Sequence, residues 1–318
     1  MTGGMKIGAM ILAGVLSCQG TETLVPVTES PAVIQETVAA EVPLSEMEIY
    51  PHWLPAHCFE PAPEGEKGTV QKDQVPGHQE FPHTFTVYLP PHYDENRKYD
   101  LLIFMGPSDG HPGDCIDGNF DTWYTDPFRF SDIYDQLLQR NLVRPFILVQ
   151  PDYLNWQDCP VTYDDISQSI REEFLPYVAD HYATYAENGT TEALTAARDH
   201  IAIGGASLGG MYIFRALLRD CADISSLFCP MSCQIDITKV QEEIETSCVE
   251  FPVRKLIYTY GGFEEPKLHG MGDYLKNVCP QAFHEDNVTI LELEGTHHYY
   301  STWAAGLWNS IQLLFRTE

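Results

Sequence analysis

His200-Ile201-Ala202-Ile203-Gly204-Gly205-Ala206-Ser207-Leu208-Gly209-Gly210 is the stretch on which the fold turns. Its first half is short, apolar and partly β-branched, which suits a buried strand. Its second half opens a run rich in Leu and Ala, Leu208 to Arg219, which suits a helix. Between them Gly205-Ala206-Ser207-Leu208-Gly209 fits G-x-S-x-G. That pattern alone arises often by chance; the strand before it and the helix after it make it specific. In a nucleophile elbow a Ser is held in strained backbone geometry at a sharp strand-to-helix turn, and the chain passes so close to itself that neighbours must be small. Gly204, Gly205, Gly209 and Gly210 meet that need. Ser207 is the candidate nucleophile.

Working outward, Phe85 to Leu89, Leu101 to Met105 and Phe146 to Gln150 read as strands upstream of His200 to Gly204. Lys255 to Tyr260 and Val288 to Leu293 read as strands downstream. Helical spacing marks Ser131 to Asn141, Asp164 to Tyr182 and Thr302 to Phe315. Short apolar strands alternating with helices place the chain in the α/β class, with a central, mostly parallel sheet covered by helices on both faces.

A Ser hydroxyl attacks only when a base takes its proton. With an elbow of this kind the partners follow in the order Ser, acid, His. The base belongs after the last strand, where Glu294-Gly295-Thr296-His297-His298 offers two adjacent candidates. The acid belongs after the strand before it, where Gly261-Gly262-Phe263-Glu264-Glu265 offers Glu264 and Glu265, with Asp273 as a third choice.

The chain has 318 residues, 44% of them apolar, enough for one well-buried core. Lys and Arg total 18 against 46 Asp and Glu, a net charge of −28. A surface this acidic repels phosphate backbones and anionic headgroups, so nucleic acid is excluded as a partner and a membrane is approached only through an anchor. Neutral substrates suit it better than polyanions.

Residues 1–18 read as a lipoprotein-type signal peptide. Lys6 precedes the apolar run Ile7 to Leu16, which is shorter than the roughly 20 residues that cross a bilayer. Val15-Leu16-Ser17-Cys18 then resembles a lipobox, which makes Cys18 the candidate lipidation site. Residues 19–45, with Thr, Glu, Pro, Val and Ala in no period, read as a flexible linker, and 46–318 as one catalytic domain. This places the protein outside the cell or on its surface. Of nine cysteines, eight remain after Cys18. An exported chain permits disulfides, and a mixture of buried thiols and one or two bridges is expected, with no pairing assigned. Cys229-x-x-x-Cys233 lacks partners at zinc spacing, so no metal is expected.

From about Val70 to Phe315 the sequence resembles the feruloyl esterase and acetyl-xylan esterase branch of the α/β hydrolases, which also holds the esterase-D-like enzymes. The resemblance is carried by Val87-Tyr88-Leu89-Pro90-Pro91-His92-Tyr93-Asp94, by Leu175-Pro176-Tyr177-Val178 with His181-Tyr182-Ala183-Thr184-Tyr185-Ala186, and by Arg198-Asp199-His200 leading into the elbow. The closing Gly295-Thr296-His297-His298-Tyr299-Tyr300-Ser301-Thr302-Trp303 is similar to the family's Gly-Gly-His segment, whose His lies five residues before a Trp. That register implies His298 rather than His297 as the base. The family's acid stands three residues after a Gly that follows the penultimate strand, which implies Glu264, where the family commonly has Asp. The family also carries His-Gly at an early strand end, and the next residue donates a backbone N–H to the oxyanion. Here the segment is Phe104-Met105-Gly106-Pro107-Ser108, and Pro107 has no N–H. The expected donors are therefore Leu208 and Gly106, with Ser108 as an alternative to Gly106.

The resemblance implies an α/β-hydrolase fold and a secreted or surface-anchored serine esterase. It would cleave acyl or feruloyl esters on plant cell-wall xylan through an acyl-enzyme, without a cofactor. Trp123, Tyr124 and Tyr299 are candidates for an aromatic acyl pocket or for ordinary packing. The alternatives are another hydrolase on the same fold (a siderophore esterase, peptidase or acyltransferase) or a catalytically weak, tethered carbohydrate-binding protein.

Overall fold

The structure is a computed structural model and describes residues 43–76, 84–107, 114–118, 129–152, 162–234, 237–264, 268 and 270–316. The expected signal peptide with Cys18, most of the expected linker, and Ser108, Trp123, Tyr124, Cys159 and Glu265 lie outside the described residues.

Among the described residues eight strands make one sheet: β1 (Thr69–Gln74), β2 (Thr84–Leu89), β3 (Asp100–Met105), β4 (Phe146–Pro151), β5 (Ile201–Ala206), β6 (Leu227–Met231), β7 (Lys255–Gly261) and β8 (Val288–Leu293). Their order is β1-β2-β4-β3-β5-β6-β7-β8. β2 runs antiparallel to both neighbours, and every pair from β4 to β8 is parallel. The helices are α1 (Asp114–Asp117), α2 (Phe130–Gln139), α3 (Tyr163–Ser169), α4 (Leu175–His181), α5 (Thr191–Ala196), α6 (Leu208–Tyr212), α7 (Leu218–Asp220), α8 (Gln241–Glu250), α9 (Met271–Val278) and α10 (Tyr300–Leu314). Single π turns join α3 to α4 and α6 to α7, so each pair continues as one rod, as the helical spacing implies.

Strands β3, β4 and β5 are buried at every position, which is why they read as unbroken apolar runs. Side chains alternate across them. Leu101, Ile103 and Met105 pack with Ile166, Phe174, Leu175 and Phe214 on one face. Leu102 and Phe104 pack with Phe130, Ile133, Trp303, Leu307 and Trp308 on the other. The sheet is therefore mostly parallel and helix-covered on both sides.

Two strands escape a reading by apolar runs. β1 is an edge strand, largely exposed and polar, and its Lys72 and Asp73 discourage further pairing. β6 lies inside the sheet but carries Cys229-Pro230. Pro230 cannot donate to a ladder, and the pairing of β6 with β7 skips both residues, resuming at Met231 opposite Thr259.

α10 is buried nearly all round because residues 48–50 lie along its outer side. The Glu48 carbonyl accepts from Trp308 Nε1 at 2.6 Å and Gln312 Nε2 at 3.0 Å. Asn309, fully buried, accepts from the Tyr50 N–H at 2.9 Å and donates to its carbonyl at 2.7 Å. This explains two amides in an otherwise apolar helix: they close the hydrogen bonds of an extended segment that has no strand partner. Asn309→Leu should cost about 1–3 kcal/mol, since it strands two part-buried backbone groups of Tyr50. Urea unfolding checks this; an unchanged midpoint would show that water reaches those groups. Cys58, Cys221, Cys229, Cys233, Cys248 and Cys279 are buried free thiols.

Candidate active site

β5 runs straight into Ser207, whose backbone takes φ 53° and ψ −112°, a left-handed conformation that costs about 1–3 kcal/mol for a residue with a side chain. Its N–H donates to the Met231 carbonyl at 2.9 Å, tying the turn to the end of β6. The flanking glycines are steric necessities. A Cβ on Gly205 would lie 2.6 Å from the Gly209 carbonyl carbon, and one on Gly209 would collide with the Met105 carbonyl and lie 2.8 Å from that of Gly106. The turn thus packs against the end of β3, which brings the Met105-Gly106 segment to the elbow.

His298 reaches in from the loop after β8. Its Nε2 lies 2.9 Å from Ser207 Oγ, and its Nδ1 lies 3.2 Å from Glu264 Oε2. A carboxylate only accepts, so Nδ1 carries the proton and Nε2 is left to accept from the Ser207 hydroxyl. Trp303, one turn into α10, holds the imidazole edge-on at 5.4 Å between ring centres. Glu264 follows β7 and is buried; its other oxygen, Oε1, accepts from the Gly261 N–H at 2.9 Å and from Ser232 Oγ at 2.6 Å.

Ser232 was not legible as a site residue in the sequence. It follows β6, is buried, and takes φ 48° although it is not Gly. Its N–H donates to the Thr259 carbonyl at 2.7 Å, which fixes the turn that aims its hydroxyl at Glu264. Only the strain marks it, and a sequence does not display strain. The neighbouring Cys233 offers no competing nucleophile: burial, reinforced by the Glu264 charge, pushes its thiol well above the usual range.

The structure separates the two adjacent histidines. His298 faces Ser207, whereas His297 faces outward, with its ring 5.0 Å from that of Phe263. Asp273, the third acid candidate, sits on α9, exposed and 3.2 Å from Lys276, whereas the carboxylate at His298 Nδ1 is that of Glu264. Glu265 lies outside the described residues. Leu208 is the first residue of α6, so its N–H has no acceptor within the helix and the dipole there favours negative charge. Gly106 is partly exposed beside the elbow and Pro107 is buried. Tyr299, a candidate for an acyl pocket or for packing, is 46% exposed and lies edge-on to the His297 ring.

Solved structures share this fold. A feruloyl esterase module of Clostridium thermocellum, a mutant complexed with sinapinate, matches with a TM-score of 0.68 and 21% identity over 85% of this chain and 94% of that one. A ferulic acid esterase of the anaerobic fungus Anaeromyces mucronatus matches at 0.63 with 17% identity, over 85% of this chain and 98% of that one. This is the α/β-hydrolase fold. No family model matches the chain. By sequence it is 31% identical over 149 residues to endo-1,4-beta-xylanase Y of Acetivibrio thermocellus, a match that covers 47% of this chain and 13% of that protein's length. In an α/β-hydrolase fold the strand ends carrying Ser207, Glu264 and His298 are those at which nucleophile, acid and base converge.

Proposed function

We propose that the chain is a serine carboxylic ester hydrolase that cleaves feruloyl or related acyl esters on plant xylan through an acyl-enzyme. The observation that carries this reading is the unbroken hydrogen-bond chain from Ser207 through His298 to Glu264, built on a strained elbow. In the first step Ser207 Oγ attacks the ester carbonyl while its proton passes to His298 Nε2. Glu264 holds the imidazole in the required tautomer and stabilises its charged form. The Leu208 N–H and a donor at Gly106 stabilise the oxyanion. His298 then gives the proton to the leaving sugar oxygen, and the C–O bond breaks. Water, deprotonated by His298, releases the acid and restores Ser207. The xylanase and feruloyl esterase relatives support xylan as the polymer. Residues 1–18 would export the chain and lipidate Cys18, 19–45 would tether it, and 46–318 would do the chemistry; the mass of the exported N-terminus tests this. No step needs a cofactor.

A fluorophosphonate probe should label the protein at one site, and peptide mapping should place it on Ser207. Methyl ferulate should be turned over. Labelling elsewhere, or turnover of peptide but not ester substrates, would overturn the reading.

Pro107 bears on the strength of the site. Losing one oxyanion donor costs about 3 kcal/mol, roughly a hundredfold or more in rate. If Gly106 supplies the second donor, Pro107→Gly removes only a rigid, buried ring, and kcat/KM on methyl ferulate should stay level or fall. A rise of about tenfold would show a natural site one donor short, and with it a catalytically weak, carbohydrate-binding role.

A further inference from the structure

The two loops that carry Glu264 and His298 also carry a row of rings on their outer side. Glu264 is buried, whereas Phe263 beside it is 65% exposed. His298 meets Ser207, and His297 before it and Tyr299 after it are exposed. The ring centres lie 5.0 Å apart from Phe263 to His297 and 6.0 Å apart from His297 to Tyr299, with planes inclined by 43° and 70°, so the row offers separate ring contacts rather than one flat face. Main-chain bonds fix the row: Phe263 N–H donates to the Thr296 carbonyl at 2.9 Å, and Tyr299 N–H to the His297 carbonyl at 2.9 Å. Thr302 Oγ1 donates to that same carbonyl. A lone exposed aromatic needs no explanation, but contiguous exposed rings next to a reactive pair of side chains mark a binding surface.

We infer that Phe263, His297 and Tyr299 form a platform for the pyranose rings of a neutral polysaccharide on the leaving-group side of the ester. The inference rests on the esterase reading above and adds the placement of its substrate. His298 hands its proton to the departing alcohol oxygen, so the sugar bearing that oxygen must lie on the His298 side of Ser207. Two of the three rings are the chain neighbours of His298 on either side, and the third lies beside His297. A pyranose ring has apolar C–H faces that lie on aromatic rings and an equatorial rim of hydroxyls that stays in water, which suits an open row better than an enclosed pocket. The net charge of −28 turns away acidic polymers and leaves an uncharged chain such as xylan.

The test compares two substrates that share an acyl group: methyl ferulate and a feruloylated arabinoxylo-oligosaccharide. The readout is the ratio of kcat/KM on the oligosaccharide to that on methyl ferulate. Phe263→Ala and Tyr299→Ala should each lower this ratio about tenfold, since a few well-placed aromatics carry most of a binding surface's energy. Phe263→Tyr and Tyr299→Phe should restore it. A ratio within about twofold of wild type in both alanine variants overturns the platform. So does an equal loss on both substrates, which would mean a role in the acyl site or in positioning Glu264. Calorimetry with unesterified xylohexaose separates the two readings. If the wild type turns over no ester, the hydrolase reading fails by itself. The platform then stands if xylohexaose binding weakens in Phe263→Ala, and falls if it does not.

Discussion

Ser207→Ala should lower kcat on methyl ferulate by roughly 10⁴ to 10⁶ while the protein stays folded. In the proposed reaction, removing the hydroxyl takes away the atom that forms the acyl bond, and neither neighbouring nucleophile is placed to replace it. Ser232 Oγ is committed to Glu264 at 2.6 Å, and Cys233 is buried with its thiol held protonated. The fold survives because the elbow is held by main-chain atoms. The bond from the residue 207 N–H to the Met231 carbonyl remains, and so do the close approaches of Gly205 and Gly209. Thermal melting should therefore move by no more than a few degrees, while the fluorophosphonate label disappears. Residual turnover would come from the oxyanion donors and from bound-state positioning alone. Turnover within about tenfold of wild type would place the nucleophile elsewhere and remove the triad with it.

What a sequence shows of such a site depends on how local the physics is. The elbow is legible because each of its requirements, an apolar strand, small neighbours and a following helix, falls within one short stretch. The parallel sheet is legible because buried strands are apolar at every position. β1 and β6 were hidden for opposite reasons. Exposure at an edge makes β1 polar, and the Cys229-Pro230 pair interrupts β6 where its ladder is also interrupted. The separation of His298 from His297 lies between these cases. The two are neighbours, and only their distance from Trp303, a matter of register rather than chemistry, tells them apart. Trp303 itself packs on His298. Ser232 was illegible because its place depends on a strained turn and on a carboxylate that arrives 32 residues later in the chain. The outward row of rings was half legible. Tyr299 is visible as an aromatic next to His298, but its exposure and its contact with the His297 ring are properties of the folded loop.

Glu264→Gln should cost about 10⁴ in kcat with little change in KM, although it alters one atom. Glu264 Oε1 accepts two hydrogen bonds, from the Gly261 N–H and the Ser232 hydroxyl, and Oε2 accepts one from His298 Nδ1. An amide offers one acceptor and one donor. Its oxygen will take the side with two donors, because an NH2 group there would face Gly261 N–H donor to donor. The NH2 then faces His298 Nδ1, which must give up its proton to accept. The proton moves to Nε2, the nitrogen that lies 2.9 Å from Ser207 Oγ, and that nitrogen can no longer take the Ser207 proton. The imidazole stays in place but in the wrong tautomer. Glu264→Asp keeps the charge and loses reach by one methylene, so it should retain more activity than Gln does. Ser232→Ala in the Gln variant supplies the internal check. Without the Ser232 hydroxyl the amide is held by Gly261 alone and is freer to turn its oxygen toward His298. The double variant should then lose less than the product of the two single losses. Strictly multiplicative losses would show that Ser232 does not steer the amide and is unconnected to the tautomer.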